Sequence, residues 1–430
     1  MATIDAVSVG PTVSESRKAV SAAVIGNVLE WYDFGVYAFM ATIIAKNFFP
    51  SGNEVTSILA AFIAFGLGFV VRPLGGIVIG RLGDVRGRKA ALILTILLMA
   101  VGTVMIGLIP TYAAIGVAAP VLIVVARLLQ GFSAGGEWGG STTFIVEWAP
   151  EGRRGFYGSF QQCSVTAGLL LGSGVAALCS TLLPADAMES WGWRIPFLLG
   201  GLLGPVGIWM RRNIAETPAY ERARRDGKTA AANDEAAPFW LAARAFGFTV
   251  LWTVAFYIFL SYMPTFTQKY LGLSRSAALW SNTLGILVLV GAIPLMGHLS
   301  DRYGRKPFLL TCCAAFVVLP YPLFAVMLSG VSLVAIMAIQ VVIGFLIAFF
   351  SGAGPAAIAE IFPTRSRSTW MTSGYALAVA IFGGFAPTIA TWLIERTGSP
   401  ISPVWYVIAA GAVSFVVIAR LRETAHEPLR

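Results

Sequence analysis

Twelve long apolar runs dominate this chain of 430 residues and restrict the folds open to it. Apolar side chains make up 57% of the chain and charged side chains only 12%, about half the charged share of a soluble domain. A helix that crosses a hydrocarbon core needs about 20 apolar residues. The runs lie near residues 21–46, 54–79, 90–109, 117–146, 155–183, 194–211, 239–267, 274–297, 307–328, 331–351, 367–395 and 401–420. We therefore predict an all-α membrane protein with twelve transmembrane helices.

A charged phrase occurs twice, half a chain apart. Gly80–Lys89 reads GRLGDVRGRK and Gly297–Lys306 reads GHLSDRYGRK, so matching Asp, Arg and Lys residues stand 217 positions apart. Segments EWAP at 147–150 and EIFP at 360–363 form a second pair, 213 positions apart. Internal duplication of this kind is frequent in secondary transporters. We predict two pseudo-symmetric six-helix bundles, residues 1–212 and 239–430, joined by a cytoplasmic linker at 213–238.

The net charge of +9 is explained by the distribution of basic residues. With both termini in the cytoplasm, 23 of the 30 Lys and Arg residues fall in cytoplasmic segments. Two, Arg72 and Arg127, lie within spans, and five fall outside, namely Lys46, Arg194, Lys269, Arg275 and Arg396. This asymmetry is the positive-inside pattern, and it orients the protein without any need for a nucleic-acid partner.

The repeated phrases predict a gate at the cytoplasmic end. In each copy an Asp and an Arg flank a glycine turn, where the carboxylate can accept hydrogen bonds from a facing helix N-terminus and the guanidinium can pair with a carboxylate. The predicted gate residues are Asp84, Arg88, Glu147, Asp301, Arg305 and Glu360. The simpler alternative is that these loops are charge clusters that only set the topology.

Charged side chains inside the predicted spans are the main functional candidates, because each costs about 2.5 to 3.5 kcal/mol at the bilayer centre. On helix one, Glu30 and Asp33 share a face with Asn27 and Tyr37. Helix four carries Arg127, Gln130 and Glu137 on one stripe, and helix two carries Arg72. These groups should face the bundle interior.

We predict that Asp33 pairs with Arg127, and that Glu30 and Glu137 lie nearer Arg72. Three carboxylates then face two guanidiniums, so one acid lacks a full partner and can bind a proton. Asp33, Arg127, Glu30 and Glu137 are the predicted proton-coupling residues. The alternative is a set of static salt bridges that brace the bundle.

The second half offers only neutral polar groups in mid-span, among them Tyr257, Tyr262, Asn282 and Tyr375. We predict that they complete a substrate site whose anion-binding groups are Arg72 and Arg127; ordinary helix packing is the alternative for each neutral residue. The four cysteines and two histidines show no spacing typical of a metal or catalytic site. We expect no enzyme activity, no metal and no cofactor other than the coupling proton.

The repeated phrases and the segment RLLQG at 127–131 resemble signatures of the major facilitator superfamily. Segments GNVLEWYDF at 26–34, RPLGG at 72–76, GGEWGG at 135–140 and WGWRIPF at 191–197 are similar to its metabolite:proton symporter branch. That branch includes carriers of citrate, 2-oxoglutarate, shikimate, and proline or betaine. Segment GFYGSFQ at 155–161 resembles the 2-oxoglutarate carrier and implies a substrate role for Gln161.

We therefore expect a monomeric, multi-pass protein of a bacterial inner membrane that imports a small organic acid with protons by alternating access. The alternative substrate is a zwitterion such as proline or betaine, held by an aromatic pocket. The alternative from another class is a sensor that binds solute without transporting it.

Overall fold

A computed structural model describes residues 13–86, 88–147, 149–212, 239–362 and 367–427. These residues form helices joined by short loops, with no strand, and the longer helices make up twelve consecutive units. Units α1 to α6 are Val13–Phe39 with Ala41–Phe48, Glu54–Val70 with Arg72–Arg86, Arg88–Leu108, Ala118–Ser133 with Ala134–Gly136 and Glu137–Glu147, Arg154–Leu182, and Arg194–Arg212. Units α7 to α12 are Phe239–Phe256 with Tyr257–Tyr262 and Met263–Leu271, Arg275–Tyr303, Arg305–Val318 with Pro320–Leu328, Leu333–Glu360, Arg367–Ala378 with Val379–Gly383 and Ala386–Thr397, and Pro403–Ala419.

The predicted all-α fold is confirmed, since every apolar run corresponds to one of these units. Within the described ranges, seven helices are long and apolar enough to cross a membrane, and two bent pairs raise that number to nine. Two shorter apolar helices, Ile93–Leu108 and Pro403–Ala419, belong to α3 and α12. The predicted linker at 213–238 lies outside the described residues.

Several helices are interrupted near their middle. The two parts of α1 meet at 62° and those of α9 at 44°, the latter at Pro320, whose ring removes a backbone donor. Helices α7 and α11 each contain a π-helical segment, Tyr257–Tyr262 and Val379–Gly383. Such segments shift the helical register and occur frequently at functional sites.

Glycines allow the helices of each bundle to cross closely. A Cβ atom on Gly131 of α4 would overlap the carbonyl oxygen of Gly68 on α2. A Cβ on Gly344 of α10 would overlap the carbonyl of Gly285 on α8 in the same way. The two crossings occupy equivalent places in the two halves, so the internal duplication is also visible in the packing.

The two bundles meet chiefly where α5 packs against α8 and α10, α2 against α11, and α1 against α7. We call the end that holds Gly155 and Gly304 the latch end, and the end that holds Lys46 and Arg275 the outer end. The residues that the sequence singled out for binding lie between these ends.

Candidate functional site

Two buried arginines surround one aromatic ring in the middle of the N-terminal bundle. The guanidinium carbons of Arg72 and Arg127 lie 4.6 and 4.8 Å from the ring centre of Phe34. The side chains are 6% and 0% exposed. Further rings complete this arginine cluster: Trp31 and Phe69 contact Arg72, and Tyr37 and Phe65 contact Arg127. Ring faces attract cations, so these aromatic residues stabilise two charges away from water.

Polar contacts of the two guanidiniums are incomplete. Arg127 donates to Gln130 Oε1 at 2.7 Å and to the carbonyl of Phe65 at 3.2 Å. Among the described residues, Arg127 Nε and two nitrogens of Arg72, Nε and Nη2, have no hydrogen-bond partner. No ion pair joins either arginine to a described carboxylate.

The predicted ion pair between Asp33 and Arg127 is therefore wrong in this conformation. Successive residues of a helix point about 100° apart. On α1, Phe34 faces the arginines whereas Asp33 faces α6, where a Cβ on Gly200 would overlap its Oδ1 atom. Asp33 is 4% exposed and shares a small hollow with Glu30, Thr95 and Gly200. The side chain of Glu137 lies outside the described part of the structure.

An aromatic wall closes the space between the bundles next to the arginine cluster. The rings of Trp138 on α4 and Tyr375 on α11 stack with centres 3.4 Å apart, and Trp252 of α7 meets both edge-on. A hollow of about 10 Å³ remains among Trp31, Trp252 and Tyr375, enough for about one water molecule. A metabolite would enter only after these rings separate.

Some of the predicted substrate residues lie at this wall, and others lie elsewhere in the bundles. Tyr257 and Tyr375 line the hollow, and Gln161 is fully buried on α5. Tyr262 packs against Phe62 of α2. Asn282 donates to the carbonyl of Leu260 at 3.0 Å, so it links α8 to the π-helical segment of α7 and does not reach the cluster.

Two residues at the hollow were missed by the sequence analysis. Gln162 and Trp252 line it together with Tyr257. Trp252 is a largely apolar residue, whereas the candidates in the second half were neutral polar groups. The π-helical segment that begins at Tyr257 also interrupts the regular helical period, so sequence spacing does not show which side chains share a face there. Gln162 directly follows Gln161, which a family resemblance alone had indicated.

The latch end joins the bundles through the second charged phrase. Asp301 accepts hydrogen bonds from the backbone N–H groups of Gly155 and Phe156, at 2.7 and 2.8 Å. Arg305 lies 2.8 Å from Asp301 and 3.3 Å from Glu360. Arg154 of the N-terminal bundle reaches Glu360 at 3.2 Å. These are the kinds of contact that the phrase predicted, whereas its role as a gate stays a prediction.

The first charged phrase contributes less to this description. The side chains of Asp84 and Arg88, two of the predicted gate residues, lie outside the described part of the structure. Glu147 is exposed at the end of α4.

The segment after α12 completes the latch end, which the sequence did not predict. Glu423 accepts from the backbone N–H groups of Arg305 and Lys306, both at 2.9 Å, and Thr424 donates to Glu360 at 2.6 Å. Partial burial opposes ionisation of Glu423. Hydrogen bonds from the backbone at Arg305, Lys306, Ala425 and Thr424 nevertheless lower the pKa of Glu423 below its usual value.

Ion pairs also join the bundles at the outer end. Glu54 at the start of α2 lies 3.3 Å from Lys269 of α7, and Glu189 lies 3.7 Å from Arg275 of α8. A hydrogen bond from Lys46 lowers the pKa of Glu189. Three of the five basic residues predicted outside the cytoplasm therefore bind acids at this end. Contacts therefore bridge the two bundles at both ends.

Comparison with known proteins places this architecture in a family. Residues 18–237 match the family model described as "Sugar (and other) transporter", and residues 254–430 match that of the Major Facilitator Superfamily. The proline/betaine transporter of Escherichia coli strain K12 is 35% identical over 96% of this chain and 85% of its own length. The chain belongs to the major facilitator superfamily. It is a multi-span membrane transporter and not an enzyme.

Two further comparisons give another relative of this transporter and a solved structure with a similar fold. The citrate-proton symporter of Klebsiella pneumoniae is 37% identical over 93% of this chain and 89% of the relative. A partially occluded, inward-open structure of the xylose transporter XylE from E. coli matches 97% of this chain and 100% of that chain, with a TM-score of 0.76. At 16% identity, this likeness shows the shared fold alone.

Proposed function

We propose that this transporter is a proton-coupled symporter that imports a small organic acid by alternating access. The observation that carries the proposal is the arginine cluster, in which two guanidiniums share the ring of Phe34 and retain N–H groups without partners among the described residues. Guanidinium groups bind carboxylates in a bidentate geometry. Two positive charges in a medium of low dielectric favour a di- or tricarboxylate over a neutral solute.

The proposed proton carrier is Asp33, together with Glu30 or Glu137. Asp33 is 4% exposed, and its Oδ1 atom has no hydrogen-bond partner among the described residues. The charged form of such a carboxyl is costly, so binding a proton relieves that cost. This arrangement suits coupling by a proton without any other cofactor. The relative from K. pneumoniae is named as a proton symporter.

A zwitterion such as proline or betaine is the second candidate. The aromatic wall, together with Trp31 and Tyr257 beside it, offers ring faces for a cationic head, and one arginine would bind the carboxylate. The name of the E. coli relative favours this candidate. A sensor without transport is less well supported, because contacts bridge both ends of the bundle pair as alternating gates would.

We also propose a bacterial inner-membrane location, cytoplasmic termini and a monomeric transporter. The excess of Lys and Arg at the latch end supports this orientation. The relatives named above come from bacteria.

The test uses purified transporter in vesicles with an imposed pH gradient and a panel of labelled organic acids, proline and betaine. We expect pH-driven uptake of an acid by the native protein and loss of uptake in both Arg72→Gln and Arg127→Gln. Arg302→Gln, an exposed arginine at the latch end, is the matched control and should transport normally. Uptake of betaine alone would select the second candidate, and binding without uptake of any solute would select the sensor.

A further inference from the structure

A second, larger cavity lies at the latch end, and its described lining residues include none of the arginine cluster. Its volume is about 390 Å³, and it is lined by residues of α7, α9, α10, α12 and the segment after α12, with Arg154 contributed by α5. Phe248, Leu309 and Ala357 contribute apolar surface to its lining. The volume falls within the range of small-ligand pockets, about 300 to 1,000 Å³.

The lining of this cavity is strongly basic. Among the described residues, six basic and two acidic side chains contribute to it. Glu360, one of the two acids, is already engaged by Arg154 and Arg305. Arg305 is 2% exposed, and its Nε atom has no hydrogen-bond partner among the described residues. Arg244, Arg420 and Arg422 add charge that no described ion pair neutralises.

The position of the cavity suits a ligand at the membrane surface. Trp240 at the start of α7 lines it, is 49% exposed, and carries the Arg244 guanidinium 4.1 Å above its ring centre. Exposed tryptophans are typical of the membrane–water interface. Clusters of basic residues at the cytoplasmic surface attract anionic lipids.

We propose that this cavity binds a phosphate group, carried either by the headgroup of an anionic phospholipid or by a soluble phosphate. Guanidinium N–H groups match the oxygens of phosphate in number and direction, and the apolar residues beside them accommodate the carbon attached to a phosphate ester. This site is separate from the proposed substrate site and does not depend on the identity of the transported solute.

The experiment measures binding of phosphatidylglycerol to the delipidated full-length transporter by native mass spectrometry, with phosphatidylcholine as the zwitterionic comparison. Arg244→Gln with Arg420→Gln should lower the affinity for phosphatidylglycerol about thirtyfold, because each basic group near an anionic surface contributes a factor of about five. The same two positions changed to Lys keep their charge and should retain most of the affinity. Arg302→Gln is the matched control and should bind like the native protein.

Competition distinguishes the two sources of the phosphate. Displacement of the lipid by inorganic phosphate, but not by chloride at equal ionic strength, would assign the site to a soluble phosphate. Resistance to both anions would assign it to the lipid headgroup. Equal displacement by chloride, native-like binding by the double Gln variant, or an equal loss in Arg302→Gln would overturn the proposal. If the double Gln variant is unstable, the proposal is tested by the affinity of the double Lys variant for phosphatidylglycerol and by the competition experiment on the native protein.

Discussion

Asp33 and Phe34 are neighbours in the chain but serve different parts of the protein. Phe34 lies between the guanidiniums of Arg72 and Arg127, whereas Asp33 faces Gly200 of α6. The positions of Asp33 and the two arginines inside predicted spans indicated that these charged groups face the bundle interior. Which charge meets which partner depends on the rotation of α1 about its axis. Rings hold both arginines, and Gln130 accepts a hydrogen bond from Arg127, so Asp33 is not their partner.

For Asp33→Asn we expect loss of proton-driven uptake with folding intact, because the amide keeps the shape of the carboxyl but cannot bind a proton and release it. The measurement is uptake driven by a pH gradient, with solute exchange in the absence of a gradient as the control for folding and binding. Undiminished gradient-driven uptake in the variant would remove Asp33 from the coupling mechanism.

Glycine crossings decide how closely the helices within a bundle approach. Gly131→Ala should lower the free energy of unfolding by about 1 to 3 kcal/mol, because the added methyl group overlaps the backbone of Gly68 and neither helix can yield without a shift. Gly174→Ala is the matched control, since its Cβ would meet nothing within 4 Å on α5. Apparent melting temperatures in detergent compare the two. If Gly131→Ala and Gly174→Ala change the melting temperature equally, the close approach of Gly131 to Gly68 does not limit the packing of α4 against α2.

The second charged phrase connects elements of both bundles. Asp301→Asn should slow the maximum rate of transport more than it weakens substrate binding, because it removes a charged acceptor from the N-terminus of α5 and from Arg305. The measurement separates the maximum uptake rate from the half-saturating concentration. Asp186→Asn, at an exposed acid beyond α5, is the control. An unchanged maximum rate would mean that the charged phrase sets the membrane topology and has no role in transport.

The segment after α12 makes the latch end sensitive to pH. The pKa of Glu423 is lowered on folding, so its stabilising contribution is complete above the usual carboxyl pKa and is lost as the pH falls through the lowered value. At neutral pH, Glu423→Gln should destabilise the protein by about 1 kcal/mol, as for a lost helix N-cap.

Thermal unfolding of both proteins across pH checks this prediction. The difference in stability between native protein and Glu423→Gln should be constant near neutrality and should shrink as the solution becomes acidic. A difference that is the same at all pH values would mean that the charge of Glu423 does not hold the segment.

The whole molecule is bridged at both ends, so transport requires the ends to open in turn. Thr181 Oγ1 of α5 and Ser276 Oγ of α8 lie 2.7 Å apart across the bundle boundary at the outer end. Cysteines at these two positions fall within reach of a disulfide. In a background without the four native cysteines, oxidation of the pair should stop uptake, and a reductant should restore it.

Each single cysteine variant serves as the control, because it cannot form the bridge. Full uptake by the oxidised, cross-linked pair would show that the outer end does not open during transport. The same result would contradict alternating access through this boundary.

The apolar runs, the repeated phrases and the charges within spans were sufficient to predict the all-helical architecture, the duplication and the burial of charged groups. The helices and the buried charges follow from the length of apolar runs and from the cost of charge in lipid, which are local to each segment. The duplication follows from the phrases that recur half a chain apart. The contacts of Asp33, the aromatic wall at Trp252, the outer ion pairs and the docking of Glu423 are not local. They join residues far apart in the chain, and their geometry depends on helix rotation, on π-helical segments and on close glycine crossings that appear only when all the helices pack together.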